Sequence, residues 1–333
     1  MQTRLFIGGK WIETAATHPV RNPFTGAEIA RVSFGDESTV DYAITAARSA
    51  CATARAVPAF QRADLLQRIA RGIETRKAEF IATIVSEAGK PITFAEAEVA
   101  RAIFTFTIAA EEARRWNGSS GEILALDATP PGAGHIGISR RFPIGVISAI
   151  TPFNFPLNLV AHKVAPCLAT GNTMVVKPAA KTPLTALLLA EVLAEAGTPA
   201  GQMNFVTCSN EHAARLVTDE RVAMVSFTGG PDVGWSLKAL AGKKRVCLEL
   251  GGNAGVIVHA DADLAAAVPL IAAGGFSNAG QSCISVQRIF VQEEIHADFK
   301  SRLVAHIREK VKTGDPRDHA TVVGPMITAE ALA

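Results

Sequence analysis

Three side chains in this 333-residue chain are of the kinds that could together oxidise an aldehyde: a thiol at Cys283, a carboxylate at Glu249 and an amide at Asn154. Cys283 closes the tetrapeptide Gly280-Gln281-Ser282-Cys283, a turn or helix start whose backbone N–H groups favour a thiolate. A thiolate that adds to an aldehyde carbon leaves negative charge on the carbonyl oxygen. The Asn154 side chain and the Cys283 backbone N–H could meet that charge, each donor being worth about 3 kcal/mol in the barrier. Collapse of the adduct expels hydride and leaves a thioester, which water must cleave. Glu249, set between Leu248 and Leu250, suits the general base, with desolvation raising its pKa toward neutrality. Plainer readings stand beside these: Asn154 as a helix N-cap before Pro156, and Glu249 as a strand-edge ion pair. Gly251-Gly252, which permits close backbone approach, favours the chemical reading of Glu249.

These groups need elements to position them. The first third reads as helices behind a short β start: one from a Ser38 cap to about Ala56, one over Arg62 to Ala88 stopped by Gly89-Lys90-Pro91, and one over Thr93 to Trp116. From Ile144 onward, apolar strands alternate with helices as far as Leu250, which implies an α/β fold with a parallel sheet covered on both faces. Thr151, Lys177, Thr228 and Glu249 fall at or just past strand ends, on the edge where such sheets bind ligands. The expected division is a Rossmann-like dinucleotide-binding domain over residues 1–120 and 140–252, a bridging hairpin over 121–139, and a partial α/β catalytic domain over 253–333 that carries the nucleophile.

A hydride acceptor is required, yet neither G-x-G-x-x-G nor a P-loop occurs. The strand-to-helix turn through Thr228, Gly229 and Gly230 to Gly234 could present N–H groups to a pyrophosphate, or could be an ordinary turn. Asn154, Asn158 and His162 recur every four residues; on a helix they share one face and could form a polar wall for a small polar aldehyde, with Ser282 and Ile284 beside the thiol. His162 as an ordinary hydrogen-bonded histidine is an equal alternative.

The motifs Thr151 to Pro156, Val-Val-Lys177-Pro178, Ser226 to Gly230, Leu248 to Gly252 and Gly280 to Cys283 resemble, in order and spacing, those of the NAD(P)-dependent aldehyde dehydrogenases. The resemblance runs from Phe6 to Pro325, with lactaldehyde- and semialdehyde-type members the nearest in character. It implies dinucleotide contacts at Ile150, Thr151, Pro152, Phe153, Lys177, Leu250 and Gly251, Gly229 near the nicotinamide, and a homodimer or homotetramer. Gly230 stands where many relatives have serine. Ala180 replaces the glutamate that in NAD-preferring relatives binds the adenine ribose, and Lys181 follows it, so NADP as well as NAD is expected to be accepted. Beside full members the chain is short: a later Glu-x-Phe-Gly-Pro segment and a subunit-pairing strand are missing, so an incomplete second domain is expected. Glu249 disfavours a coenzyme A-acylating variant. A non-catalytic dinucleotide-binding or assembly subunit is the alternative of another class.

With 48% hydrophobic residues and a formal charge of +2 free of long basic blocks, the composition suits a globular chain with a small-molecule partner, not nucleic acid or a membrane surface. Its apolar runs fall short of a membrane span, and the N-terminus lacks a secretory core, so a cytoplasmic location is expected. Five scattered cysteines without C-x-x-C spacing suggest reduced thiols and no metal. Cys51, Cys167, Cys208 and Cys247 are expected to be small buried hydrophobes.

Overall fold

The computed structural model describes residues 2–119, 123–125, 130–139 and 141–332. Its first part holds two hairpins, β1 (Leu5–Ile7) with β2 (Lys10–Ile12) and β3 (Thr17–Arg21) with β4 (Glu28–Ser33). Four helices follow: α1 (Glu37–Ala56), α2 (Ala59–Thr75), α3 (Lys77–Ala88) and α4 (Ile92–Ser119). The strands β5 (Ile123–Ala125) and β6 (Ile136–Ile138) then pair antiparallel; residues 121, 122 and 126–129 of the expected hairpin lie outside the described residues.

Strict alternation comes next: β7 (Val146–Ile150), α5 (Asn158–Ala169), β8 (Thr173–Lys177), α6 (Leu184–Glu195), β9 (Met203–Phe205), the short α7 (Asn210–Ala213) and α8 (Arg215–Thr218), β10 (Val222–Gly229), α9 (Pro231–Leu240) and β11 (Arg245–Leu250). Beyond it lie β12 (Ala254–Val258), α10 (Leu264–Phe276), β13 (Val286–Val291) and α11 (Glu293–Lys310).

The main sheet runs β11-β10-β7-β8-β9-β1-β2. Strands β7 to β11 are parallel, whereas β1 joins β9 antiparallel and so attaches the N-terminal hairpin to an otherwise parallel sheet, a pairing the alternation gave no hint of. After β9 the chain returns to the far side of β7 to place β10, so the strand order reverses between β7 and β10. Such a switch point opens a crevice beyond the strand ends. One face of the sheet is covered by α2, α4, α5 and α6 around Leu66, Phe106, Ala149, Val176 and Phe205; the other packs Val146, Val175 and Val206 on Val40 and Ile44 of α1.

Local details depart from the sequence reading in physically legible ways. The α1 cap is Asp36, whose carboxylate accepts the Thr39 N–H at 2.9 Å, while Ser38 serves Asp36 as a donor. The single helix expected over Arg62 to Ala88 is two, broken at Arg76, where a guanidinium tied to Glu79, Glu191 and Glu195 takes the place of a glycine or proline signal. Neither α5 nor α6 has a side-chain cap of its own, because buried Leu157 and Pro183 occupy the cap positions. Buried carboxylates from elsewhere do the work: Glu98 at α5, and at α6 Glu87, which accepts the N–H groups of Leu184 and Thr185 at 2.7 and 2.9 Å. Burial pushes the Glu87 carboxyl up to about 7 against the pull of these donors.

The last unit is thinner. Strands β12 and β13 form a two-stranded parallel sheet, and α10 and α11 pack on it through Val258, Val268, Ile271 and Phe299. Ile257 and Phe290 on those strands remain 81% and 54% exposed. Among the described residues, no helix is long and apolar enough to cross a membrane.

Candidate active site

The register of the main sheet brings its carboxyl ends level. Ile150 lies opposite both Lys177 and Phe227, Phe227 opposite Leu248, Thr228 opposite Glu249 and Gly229 opposite Leu250. The Thr151 N–H extends this row by donating to the Lys177 carbonyl at 3.2 Å. Four of the sequence motifs therefore meet on one edge, at the switch point.

The thiol reaches that edge from the second unit. After α10, Asn278 and Ala279 take left-handed φ values of 52° and 56°, and Gly280 follows at 72°. Left-handed backbone is uncommon for residues with a Cβ, and a run of it must be held by its surroundings. The holding contacts are visible: Asn154 Nδ2 donates to the Gln281 carbonyl at 2.9 Å, and Asn278 Nδ2 lies 3.4 Å from the carbonyls of Asn154 and Gln281. The Gln281 side chain ties the turn onward, accepting the Ile327 N–H at 3.0 Å and approaching the Pro325 carbonyl at 3.5 Å. Cys283 is exposed at the end of this clamp, with Ser282 half-buried and Ile284 76% exposed beside it. One of the two hydrogens on Asn154 Nδ2 serves Gln281, and the second has no partner among the described residues.

Glu249 comes to the same region through the chain that follows it: a Cβ on Gly252 would sit 3.6 Å from the Cys283 carbonyl oxygen. Its side chain is exposed rather than desolvated between its leucines. The reason is that β11 is the edge strand: α9 covers the face carrying Val246, Leu248 and Leu250 and leaves the other face open. Cys247 shares that open face and is exposed, and Cys51 is half-buried, so both depart from the expected burial; Cys167 and Cys208 are buried, and burial pushes the Cys208 thiol up to about 11. Beside the open face lies a cleft of about 680 Å³ whose lining includes His162, Lys163, Ser226, Arg245 and Cys247. Burial lowers the pKa of Lys163 to about 8 although Cys247 and Glu249 oppose the shift, and its Nζ donates to Ser226 Oγ at 2.9 Å. The His162 imidazole is held below its usual value by desolvation and by Arg101 and Lys163, with the Glu249 charge pulling the other way.

The polar wall expected of Asn154, Asn158 and His162 is only partly realised. Asn154 precedes the helix, Asn158 is 1% exposed with its Oδ1 unpaired, and His162 alone looks into the cleft.

The opposite face of the same edge carries a different set. Lys177 is buried there, its Nζ 3.3 Å from Asn210 Oδ1, and desolvation lowers its pKa. Phe153 is tied by its carbonyl to Thr182 Oγ1 at 3.5 Å, with Pro152 half-buried before it. Ala180 is half-buried, and Lys181 is exposed within electrostatic reach of His18 and Glu330. Gly230 caps α9 without a side chain, so the free N–H groups of that helix start face outward beside Gly229 and Gly251. Gly234 is turned inward instead: a Cβ there would lie 2.4 Å from Leu250 Cδ2, so its smallness serves the packing of α9 on β11.

Sequence reasoning passed over Asn278, Lys163, Glu98 and Lys90. Asn278 had a readable signal in its place just before the Gly-Gln-Ser-Cys turn; the others act across long sequence separations and had none.

A family model described as the aldehyde dehydrogenase family matches residues 11–333. Over 327 residues the chain is 39% identical to 3-sulfolactaldehyde dehydrogenase of Priestia aryabhattai, covering 98% of itself and 67% of that protein. Its fold superposes on crystalline lactaldehyde dehydrogenase from Escherichia coli with a TM-score of 0.93 at 38% identity, over 99% of this chain and 69% of that one. It superposes on glyceraldehyde-3-phosphate dehydrogenase GapN of Methanocaldococcus jannaschii, complexed with NADP, with a TM-score of 0.89 at 36% identity, over 95% and 69%. The chain thus spans about two thirds of the length of these proteins. Sequence, fold and the convergence of motifs on one sheet edge agree: the chain belongs to the aldehyde dehydrogenase family, enzymes that oxidise aldehydes with NAD or NADP.

Proposed function

We propose that this chain carries the chemistry of a hydrolytic aldehyde dehydrogenase acting on small polar aldehydes. Cys283 adds to the aldehyde carbon, and the free Asn154 amide hydrogen with the Cys283 N–H receives the oxyanion. Collapse of the adduct to a thioester requires a hydride acceptor, which is the chemistry a bound nicotinamide would supply. Glu249 takes a proton from water, which attacks the thioester, expels the thiolate and yields the carboxylic acid. Lys177, Thr151 and the α9 start would hold the dinucleotide, and His162 lines the side left open to the aldehyde. The observation that carries this reading is the 2.9 Å contact from Asn154 Nδ2 to the Gln281 carbonyl, which joins residues 127 apart two positions before the thiol.

The sulfolactaldehyde and lactaldehyde dehydrogenase names of the relatives support a short oxygenated substrate. Ala180 removes a carboxylate that would repel a 2′-phosphate, and Lys181 stands next to it, so NADP is accepted. The test is absorbance of reduced nicotinamide on mixing the protein with NADP or NAD and lactaldehyde, glycolaldehyde, succinic semialdehyde or a long aliphatic aldehyde. Glu249→Gln should give one burst without turnover. Absence of any reduced nicotinamide, burst or steady, from the parent chain and from one extended to family length would favour a dinucleotide-binding role alone; better kcat/KM for the aliphatic aldehyde would overturn the substrate class, and a large NAD preference the cofactor assignment.

A further inference from the structure

Helix α5 begins four residues after Asn154, and its cap position is filled by Leu157, whose side chain lies in the core and cannot accept a hydrogen bond. The N–H groups of Leu157 and Asn158 go instead to Oε1 of Glu98 on α4, at 2.9 and 3.1 Å. The other oxygen of Glu98 takes Lys90 Nζ, and both side chains are fully buried. Lys90 Nζ also stands 3.7 Å from the centroid of the Phe155 ring, the residue next to Asn154. One buried pair therefore fixes residues 155, 157 and 158 together. It also runs against simple stability, because a buried ion pair can often be replaced by apolar groups at little cost.

We infer that Glu98, held in place by Lys90, is a positioning residue that sets the Asn154 amide against the nucleophile turn. This rests on Asn154 being the oxyanion donor. Neither Glu98 nor Lys90 is placed near the reacting atoms; they act through the short segment they clamp, where a displacement on the order of 1 Å costs about a hundredfold in rate.

The test uses the full chain with Lys90→Met/Glu98→Met, a paired change that removes the acceptor of the Leu157 and Asn158 N–H groups without stranding one buried charge, and with Phe155→Leu, which removes only the ring over Lys90. Folding is checked by thermal melting and circular dichroism. The paired variant should lower kcat by about ten- to a hundredfold while changing the aldehyde KM by less than about threefold. Introduced into Asn154→Ala, it should cost less than about twofold more, because the donor it positions is already absent. Hydrogen–deuterium exchange should quicken in segments 152–158 and 278–283 and nowhere else. A folded variant with parental kcat, a loss that multiplies in full on the Asn154→Ala background, or unchanged exchange over 278–283 each overturns the inference. If the paired variant does not fold, Phe155→Leu carries the same readouts, with a smaller fall in kcat expected and the same outcomes overturning the inference. Should Asn154→Ala keep full activity, the oxyanion assignment is what fails, and the exchange measurement still decides whether Glu98 orders the turn.

Discussion

The main sheet and the β12–β13 pair are assembled from the same strand-and-helix unit, yet they end in different physical states. In the first, β8 and β9 are buried throughout and helices cover both faces, so the strand ends form a rigid ledge. In the second, two strands and two helices share a core of four buried residues, and Leu270 and Ile257 face solvent. The residues proposed for the cofactor stand on the ledge, whereas the thiol stands on the thin unit and is located by contacts reaching across from the ledge. Rigidity is supplied by one region and the proposed nucleophile by the other.

Four measurements would break or sharpen that contrast. The largest effect belongs to Cys283→Ser, expected to lower aldehyde-dependent reduction of NAD(P) by at least about 10⁴-fold while leaving dinucleotide affinity, read by fluorescence titration, unchanged. Next come paired truncations. Phe205→Ala in the ledge should cost about 3–5 kcal/mol in denaturant melts, whereas Phe290→Ala in the thin unit should cost less than about 1 kcal/mol. Similar losses from both would mean that the second unit is as tightly built as the first.

A third measurement uses Glu87, the ledge's buried capping carboxyl. Its folded pKa of about 7 is raised above the ordinary 4.5, so the folded state holds the proton more tightly. Its contribution to stability is fully present below pH 4.5 and is lost as pH rises through 7, at no more than about 1.4 kcal/mol per pH unit. Melts between pH 4.5 and 7.5 should show this slope in the parent and lose it in Glu87→Gln. The smallest effect is expected of Asp263→Ala. Asp263 caps α10 by accepting the Ala265 N–H at 2.9 Å, and losing it should cost about 1 kcal/mol.

Much of the ledge could be read in advance because it is local. Apolar runs of strand length followed by helical spacing marked the alternation of strands and helices from β7 to β11, and the motifs at Thr151, Lys177, Thr228 and Glu249 fell at strand ends. What escaped was set by neighbours distant in sequence. The antiparallel attachment of β1 depends on β9, nearly two hundred residues away. Exposure of Cys247 and Glu249 follows from α9 covering only the other face of β11, which its alternating pattern cannot disclose. The caps on α5 and α6 come from Glu98 and Glu87, residues that in sequence look like ordinary helical glutamates. In the site, the types and convergence of Asn154 and the cysteine turn were legible; the clamp through Asn278 and Gln281 depends on backbone hand, which only coordinates reveal.

That hand has a consequence for the life of the molecule. Asn278, Ala279 and Gly280 coil three successive residues against the sense that L-amino acids prefer, and a free peptide of this sequence would relax out of it. A polypeptide emerging from the ribosome thus does not yet hold Cys283 where the finished molecule does, since the Asn154 segment that grips the turn has first to be placed at the end of β7. Folding itself therefore sets the position of the proposed nucleophile.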